Sequence, residues 1–218
     1  MLFRSVRPDA LARVAEGLAA PEEAVATHVG DVTVASDDQG AVEACLSRFG
    51  RLDVLVNAAG ILEPTRFFDV SEAEWRRVVD VNLTGAFLIS QAAARPMRDR
   101  GWGRIVHFSS TAGKTVSTLG GAHYTAAKHG VLGLMRATAK ELAPFGITVN
   151  AICPGLIDTE MVRSTIAAER RAEYAASFPI PRLGTPEEAA ELVHFLASDA
   201  AAYITGAAID ITGGDLMV

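Results

Sequence analysis

The segment LDVLV at residues 52–56 is a short apolar run, which is typical of a β-strand covered on both faces. Further runs of this kind follow at 104–108, 147–152 and 207–211, and an earlier one lies at 24–29. Segments with helical spacing of apolar residues separate these runs. Strands that alternate with helices favour a parallel sheet with helices on both sides. The sequence therefore predicts an α/β fold with a doubly wound parallel sheet in three layers.

The helices between the strands carry recognisable start signals. Ser71 and Glu74 have the spacing of a capping box, and Thr185-Pro186 combines an N-cap residue with proline at the first helical position. The predicted helices run from Asp9 to Ala19, from a cap at Ser36 or Asp37 to Phe49-Gly50, from Ser71 to about Ala94, from Ala122 to Leu142, and onward from Thr185.

Composition bounds the class of protein. The length of 218 residues favours a single domain over 1–218, and the net charge of −6 gives no reason to expect nucleic acid or an anionic membrane as partner. The sequence contains neither an apolar run of about 20 residues nor a signal-peptide pattern. Cys45 and Cys153 have no metal-site spacing, so we interpret them as buried, reduced thiols of a cytoplasmic protein without a metal site.

The motif YTAAK at 124–128 is the sharpest chemical signal. Residues four apart lie on the same helix face, so Tyr124 and Lys128 are predicted to be neighbours. The positive charge of Lys128 is expected to lower the pKa of Tyr124 and make it an acid or base near neutral pH. In isolation, such a pair more often marks an exposed face of an amphipathic helix.

The surrounding sequence favours the chemical reading. Ser110, which follows a predicted strand and precedes Tyr124 by 14 residues, could hydrogen-bond a substrate oxygen, although it would also suit a plain turn. Asn82 interrupts an otherwise apolar helix, where asparagine is mildly unfavourable. If buried, it needs several hydrogen-bond partners, so a functional role is at least as plausible as a structural one.

An ordered set of motifs over roughly residues 6–214 resembles the short-chain dehydrogenase/reductase family, whose fold is Rossmann-like. The motifs are GDV at 30–32, NAAG at 57–60, VNLTG at 81–85, FSSTAG at 108–113, YTAAK at 124–128, ITVNAICPGLIDTEM at 147–161 and ITGAAIDITGG at 204–214. The stretch 109–161 is similar to reductases of 3-oxoacyl and polyketide intermediates, and also to sugar and alcohol dehydrogenases of the family.

The resemblance implies an NAD(P)-dependent oxidoreductase that interconverts a ketone and a secondary alcohol by hydride transfer. Tyr124 is then the proton donor or acceptor, and Lys128 holds the nicotinamide ribose and lowers the pKa of the tyrosine. Ser110 positions the substrate oxygen, and Asn82 supports a water that links Lys128 to solvent. The resemblance also implies a homodimer or homotetramer built on the helices that bear Asn82 and Tyr124 and on the C-terminal strand.

The resemblance further assigns contacts to the coenzyme, NAD or NADP. Besides Tyr124 and Lys128, the implied contacts are Asp31 and Val32 with the adenine, Asn57, Ala58, Ala59 and Gly60 with the adenosine ribose, Pro154 and Gly155 with the nicotinamide, and Ile157 and Thr159 with the carboxamide and pyrophosphate. Arg4, Ser5 and Arg7 stand where the family selects its coenzyme, and taken literally they favour a 2′-phosphate. That inference depends on whether residues 1–5 are native, so the choice stays open.

The sequence departs from the family in the spacing before Tyr124. The family serine usually precedes the tyrosine by one residue fewer, so an insertion is expected between Gly113 and His123. Ser109 or Ser110 remains the better assignment, because Thr111 has the usual separation but stands in the wrong part of the motif. Residues 156–183 are expected to form an apolar substrate lid.

The larger departure is at the front of the chain. The sequence has no G-x-G-x-x-G turn, and its predicted first helix matches the helix that follows the family's second strand, so the first βα unit is expected to be lacking. The missing strand would leave a gap of roughly 10 Å beside the strand at 52–56. We expect the sheet to close over it, or residues 1–6 or another chain to fill it. LFRS at 2–5 also matches one reading frame of a common sequencing adapter, which would make residues 1–5 non-native.

Because the glycine turn is lacking, the alternative function is a non-catalytic or cofactor-deficient truncated family member.

Overall fold

The computed structural model describes residues 1–18 and 20–218. Its strands are β1 Leu2–Ser5, β2 Ala26–Val29, β3 Val54–Asn57, β4 Gly103–Phe108, β5 Ile147–Pro154 and β6 Ala208–Ile211. Its α-helices are α1 Pro8–Gly17, α2 Ala35–Phe49, α3 Glu72–Val79, α4 Gly85–Arg100, α5 Ala122–Leu142, α6 Glu160–Thr165, α7 Ala168–Ser177 and α8 Pro186–Ala197.

All strand pairs are parallel, and this confirms the predicted α/β, Rossmann-like class. The strands form two sheets, however, not one continuous sheet: a four-stranded sheet in the order β3-β4-β5-β6 and a two-stranded sheet of β1 and β2. Within the described residues, β3 pairs with β4 alone and β1 with β2 alone. The expectation that the sheet closes beside β3 is therefore wrong, and residues 2–5 add to the edge of β2 instead of pairing with β3.

The main core lies between the four-stranded sheet and helices α4 and α5. Met97, Leu132 and Met135 of these helices are fully buried against Ile105 and Val149 of the strands. Each large apolar side chain removed from water in this way contributes about 1.5–3 kcal/mol before entropy is subtracted. The opposite face of the sheet is covered by α8, so the layers are helix, sheet and helix as predicted.

The α8 side of the sheet has its own cluster. Leu196 of α8 packs with Val106 and Ile152 of the central strands. The helix begins with the predicted cap, in which Thr185 Oγ1 accepts from Glu188 N at 3.3 Å and Glu188 Oε2 accepts from Thr185 N at 2.9 Å. This reciprocal pair fixes where α8 enters the sheet.

The long helix predicted from Ser71 is interrupted. Residues Asp80–Thr84 form a π-helical segment between α3 and α4, and α4 continues to Arg100, beyond the predicted end at Ala94. The side chain of Asn82 lies in this segment and donates to Val78 O at 2.9 Å. Asn82 also lines the cavity described below, and π segments of this kind are frequent at functional sites.

The front of the chain differs from prediction at three places. Helix α1 ends at Gly17, and the predicted end at Ala19 lies outside the described residues. The first two residues of the strand predicted at 24–29 are not part of β2. Helix α2 begins at Ala35 with Val34 as its N-cap, so Ser36 and Asp37 lie within the first turn and neither caps the helix. Asp37 Oδ2 instead accepts from Asp31 N at 2.9 Å. The predicted end of α2 is confirmed, since Gly50 has a left-handed φ of 71°.

Candidate active site

A cavity of about 470 Å³ opens at the carboxyl ends of β4 and β5, where parallel sheets bind ligands. Its wall includes all four residues predicted to be catalytic, which are Asn82, Ser110, Tyr124 and Lys128. Three elements place them there. Ser110 lies just past β4, Tyr124 and Lys128 lie on the first turns of α5, and Asn82 lies on the π segment.

The two serines after β4 have different partners. Ser109 is buried, and its Oγ donates to Lys128 O at 2.9 Å. The Ser110 hydroxyl accepts from Ala112 N at 3.1 Å and, like the Tyr124 phenol, lines the cavity. The structure therefore favours Ser110 over Ser109 as the hydroxyl that faces a substrate oxygen.

Burial dominates the acidity of Tyr124. It raises the pKa of the phenol, and the neighbouring Ser110 hydroxyl lowers the pKa by less. The prediction that Lys128 lowers this pKa is wrong for this arrangement. Lys128 Nζ lies 5.6 Å from the centroid of the Tyr124 ring and donates to Phe108 O at 2.9 Å, so it is directed at the strand and not at the phenol oxygen.

Lys128 is itself buried, and burial lowers its pKa to about 8. Burial, together with the charge of Lys128, lowers the pKa of the neighbouring His107 to about 4, so that imidazole is neutral at pH 7. An ammonium group has three donors, of which one is committed to Phe108 O. Lys128 can therefore hold further oxygen acceptors that enter the cavity.

Asn82 is anchored on its donor side and open on its acceptor side. Its Nδ2 donates to Ile61 O and to Val78 O, each at 2.9 Å. Its Oδ1 is buried and has no hydrogen-bond partner among the residues that the structure describes. A Cβ at Gly60 would lie 2.8 Å from this oxygen and 3.4 Å from Lys128 Nζ. Glycine at 60 thus leaves space between an open acceptor and an ammonium group, which fits the predicted water.

The residues predicted to contact the coenzyme divide into two groups. Six of them line the cavity: Ala58, Gly60, Pro154, Gly155, Ile157 and Thr159. The other four lie outside its wall: Asp31, Val32, Asn57 and Ala59. Val32 packs in the core beneath Gly85, and Asp31 Oδ1 accepts from the backbone and hydroxyl of Thr33, at 2.9 Å each. Their contacts with a coenzyme stay predictions.

The residues proposed to select the coenzyme are partly engaged elsewhere. Arg4 Nη1 lies 3.3 Å from Asp38 Oδ1 and donates to Gly30 O at 3.4 Å. Burial raises the pKa of Asp38 to about 6 despite the nearby guanidinium. Arg7 is exposed and lies 3.7 Å from Glu160 of α6. The choice between NAD and NADP therefore stays open.

Several cavity residues carried no clear sequence signal. Leu62, Leu119 and Asp215 line the wall, and each lies on a loop without a motif of its own. The predicted lid is helical, as α6 and α7, and supplies Met161 and Phe178. Within the described residues, no three His, Cys, Asp or Glu side chains are grouped to hold a metal ion, and no helix is both long and apolar enough to cross a bilayer.

A nicotinamide coenzyme fits one end of this site better than the other. The open Asn82 acceptor, the uncommitted donors of Lys128 and the side-chain-free backbone at Gly60 and Gly155 suit the nicotinamide riboside. The sequence offers no glycine-rich turn for a pyrophosphate. The fold and this site together define a class, the parallel α/β oxidoreductases.

Comparisons with known proteins agree. The model of the family described as enoyl-(acyl carrier protein) reductase matches residues 2–215. A short-chain type dehydrogenase/reductase of Sinorhizobium fredii is 43% identical over 194 residues, which cover 87% of this chain and 77% of that protein. An acetoacetyl-CoA reductase of Shinella zoogloeoides is 44% identical over 188 residues, which cover 83% of this chain and 78% of that protein.

A solved structure extends the agreement to three dimensions. A 3-oxoacyl-[acyl-carrier protein] reductase from Brucella melitensis with bound NAD superposes with a TM-score of 0.89 at 33% sequence identity, covering 100% of this chain and 81% of that one. The chain belongs to the short-chain dehydrogenase/reductase family, and its relatives support an oxidoreductase that uses a nicotinamide coenzyme.

Proposed function

We propose that the protein interconverts a ketone and a secondary alcohol, with Tyr124 as the group that gives or takes the proton on oxygen. One observation carries the proposal: the Tyr124 phenol, the Ser110 hydroxyl and the Lys128 ammonium group share the wall of one cavity. The raised pKa of Tyr124 keeps the phenol protonated at neutral pH, and this suits ketone reduction. Ser110 would hold the carbonyl oxygen within reach of that proton.

A nicotinamide coenzyme, NAD or NADP, would be held by Lys128 and by the backbone at Pro154 and Gly155, and when bound it supplies the hydride. The chain's own residues then have three tasks. Tyr124 protonates the carbonyl oxygen, Ser110 orients it, and Asn82 offers an acceptor for a water beside Lys128. The apolar lid side chains, such as Met161 and Phe178, exclude other water.

The cavity wall favours a ketone whose reacting end is uncharged and moderately apolar. Leu62, Leu119 and Phe178 are part of the wall, and within the described residues Lys128 is its one cation and Asp215 its one carboxylate. A substrate carboxylate near Asp215 would be repelled, whereas an ester or thioester would not. The acetoacetyl-CoA and 3-oxoacyl reductases among the relatives support a 3-oxo thioester.

The test follows coenzyme oxidation at 340 nm with NADH and with NADPH. The substrates are paired 3-oxo thioesters, 3-oxo methyl esters and free 3-oxo acids of equal chain length. We expect turnover of the esters and thioesters and little of the free acids. Turnover of the free acids alone would overturn the substrate class, and no oxidation with any carbonyl compound would overturn the reaction.

A second candidate is a family member that cannot hold dinucleotide. The separate β1–β2 sheet favours it, because the residues expected to select the coenzyme are not joined to the strands beside the cavity. Titration with NADH and NADPH, followed by quenching of Trp75 and Trp102 fluorescence, distinguishes the two. Saturation well below millimolar supports the enzyme, and no quenching up to millimolar concentrations supports the second candidate.

We also propose a cytoplasmic homodimer or homotetramer. The two cysteines are buried and unpaired, which agrees with a reducing compartment. Phe87 on α4 is 43% exposed, and burial of such a side chain between subunits would remove apolar surface from water. Light scattering after size exclusion would give the mass; a monomer at micromolar concentration would refute the assembly.

A further inference from the structure

A fully buried histidine, His123, directly precedes the proposed proton donor. Its Nδ1 lies 2.8 Å from the backbone N of Tyr124, and its Nε2 lies 2.9 Å from Glu74 Oε1. Because a backbone N–H can only donate, Nδ1 must be the acceptor, and the neutral ring carries its proton on Nε2. That proton is donated to Glu74. His123 thus joins α3 to the first turn of α5.

The first turn of α5 needs such an acceptor. Gly121 is the N-cap, and a glycine has no side chain with which to accept the unpaired N–H groups of the first turn. Thr125 N donates to Gly121 O at 3.2 Å, so the first intrahelical bond lies just beyond Tyr124. His123 satisfies the Tyr124 N–H in place of a capping side chain.

Glu74 is diverted from its expected role to hold this histidine. Ser71 Oγ accepts from Glu74 N at 3.1 Å, which is half of the predicted capping box. The Glu74 carboxylate turns instead to His123, and this hydrogen bond is the largest cause of a lowered pKa at Glu74. The carboxylate is therefore ionised at neutral pH. An ionised acceptor at Nε2 fixes the tautomer that leaves Nδ1 free to accept.

The side chains and backbone around the His123 imidazole leave space for the ring but restrict its movement. A Cβ at Gly121 would lie 2.8 Å from His123 Cε1, so a larger residue there would displace the imidazole. The Trp75 ring also lies close, with its centroid 6.4 Å from that of His123. The imidazole is therefore held by two hydrogen bonds and by its packing.

We propose that Glu74 and His123 are positioning residues for Tyr124, a role that rests on the proposed function. They act through the backbone: the acceptor at Nδ1 fixes the third residue of α5 and thereby the direction in which the Tyr124 phenol meets Ser110. Loss of the acceptor frays the first turn and misaligns proton transfer. Binding of the substrate depends on the rest of the cavity and is unaffected.

The two ring nitrogens can be tested separately. In His123→Asn the amide oxygen stands near the place of Nδ1, and in His123→Gln the amide nitrogen stands near the place of Nε2. We expect His123→Gln to lower kcat about fivefold to tenfold with KM unchanged, the effect of one hydrogen bond, and His123→Asn to keep kcat within about twofold. Glu72→Gln, on the exposed face of α3, is the matched control. Equal kcat values in the two histidine variants, or a change in KM alone, would overturn the positioning role.

A readout without catalysis separates this proposal from the proposed function. The ¹⁵N chemical shifts of the His123 ring, assigned by their loss in His123→Asn, report the tautomer, and we expect protonated Nε2 and unprotonated Nδ1. The Tyr124 amide should exchange with solvent faster in His123→Gln than in His123→Asn. A protonated Nδ1, or equal exchange, would overturn the pair itself. If both results hold and no ketone is reduced, the Glu74–His123 contact stands. The proposed reaction is then overturned, and so is the positioning role in it.

Discussion

The two central strands of the four-stranded sheet, β4 and β5, are more buried than the two strands of the separate sheet. In β5, all residues except Pro154 are buried, whereas β1 is only half-buried throughout and Val29 at the end of β2 is 58% exposed. The proposed catalytic groups lie on or beside the elements packed around β4 and β5, which we call the well-buried part. The residues expected to select the coenzyme lie on and beside β1, which together with β2 forms the half-buried part. The comparison teaches that the proposed chemistry lies beside the most buried strands, whereas the residues expected to select the coenzyme lie beside less buried ones.

The largest expected effect tests whether the two sheets unfold together. Leu132→Ala removes a buried side chain of the main core and should lower the free energy of unfolding by about 2–5 kcal/mol. Leu11→Ala, on α1, should change it by less than half as much when Trp75 and Trp102 fluorescence is followed, because α1 packs on β1 and β2, whereas Trp75 lies on α3 beside α5 and Trp102 directly precedes β4. Denaturant titrations give both values. Equal changes would mean that the sheets form one cooperative unit.

The next effect concerns the well-buried part alone. Tyr124→Phe removes the proposed proton donor and should lower kcat for the ketone by at least ~10²-fold while the protein stays folded. Tyr203→Phe is the matched control, because the side chain of Tyr203 is fully exposed. Steady-state kinetics checks both variants. Activity of Tyr124→Phe within a few-fold of the unsubstituted protein would remove Tyr124 from its proposed role.

The smallest effect concerns the half-buried part and its pH dependence. The pKa of Asp38 is raised to about 6, so the folded state favours the protonated carboxyl. Its stabilising contribution is therefore fully present below about pH 4 and is lost as pH rises through 6. Asp38→Asn should leave the β1–β2 amides better protected at pH 8, by up to about 3 kcal/mol, and little changed at pH 4.

Hydrogen exchange of the β1 and β2 amides at the two pH values measures this effect. Glu43→Gln, an exposed substitution on the same helix, is the control. Weaker protection of Asp38→Asn at pH 8 would show that the ion pair with Arg4 outweighs the burial of the carboxylate.

Local patterns predicted the well-buried part most accurately. The bounds of α5 are the predicted ones, because apolar spacing and the left-handed Gly146 beyond its end are local signals. The Ser71 cap and the four cavity-lining catalytic candidates also followed from order and spacing along the chain.

What the sequence could not predict depends on distant partners. Glu74 contacts a histidine 49 residues away instead of closing its own capping box. Asp37 accepts from Asp31 instead of capping α2. The raised pKa of Tyr124 follows from burial of the phenol by the surrounding fold, and the spacing of residues along α5 does not predict this burial. The separation of the β1–β2 sheet from the four-stranded sheet likewise depends on pairing between strands that are distant in sequence.

Deuteride transfer tests the central claim most directly. The protein is incubated with NADH and with NADPH carrying deuterium at the transferable position, together with a 3-oxo thioester, and the product is analysed by mass spectrometry and NMR. We predict deuterium on the carbinol carbon of the product, with its formation strongly reduced in Tyr124→Phe. An unlabelled, unreduced ketone, when tryptophan quenching shows that the coenzyme is bound, would contradict the account.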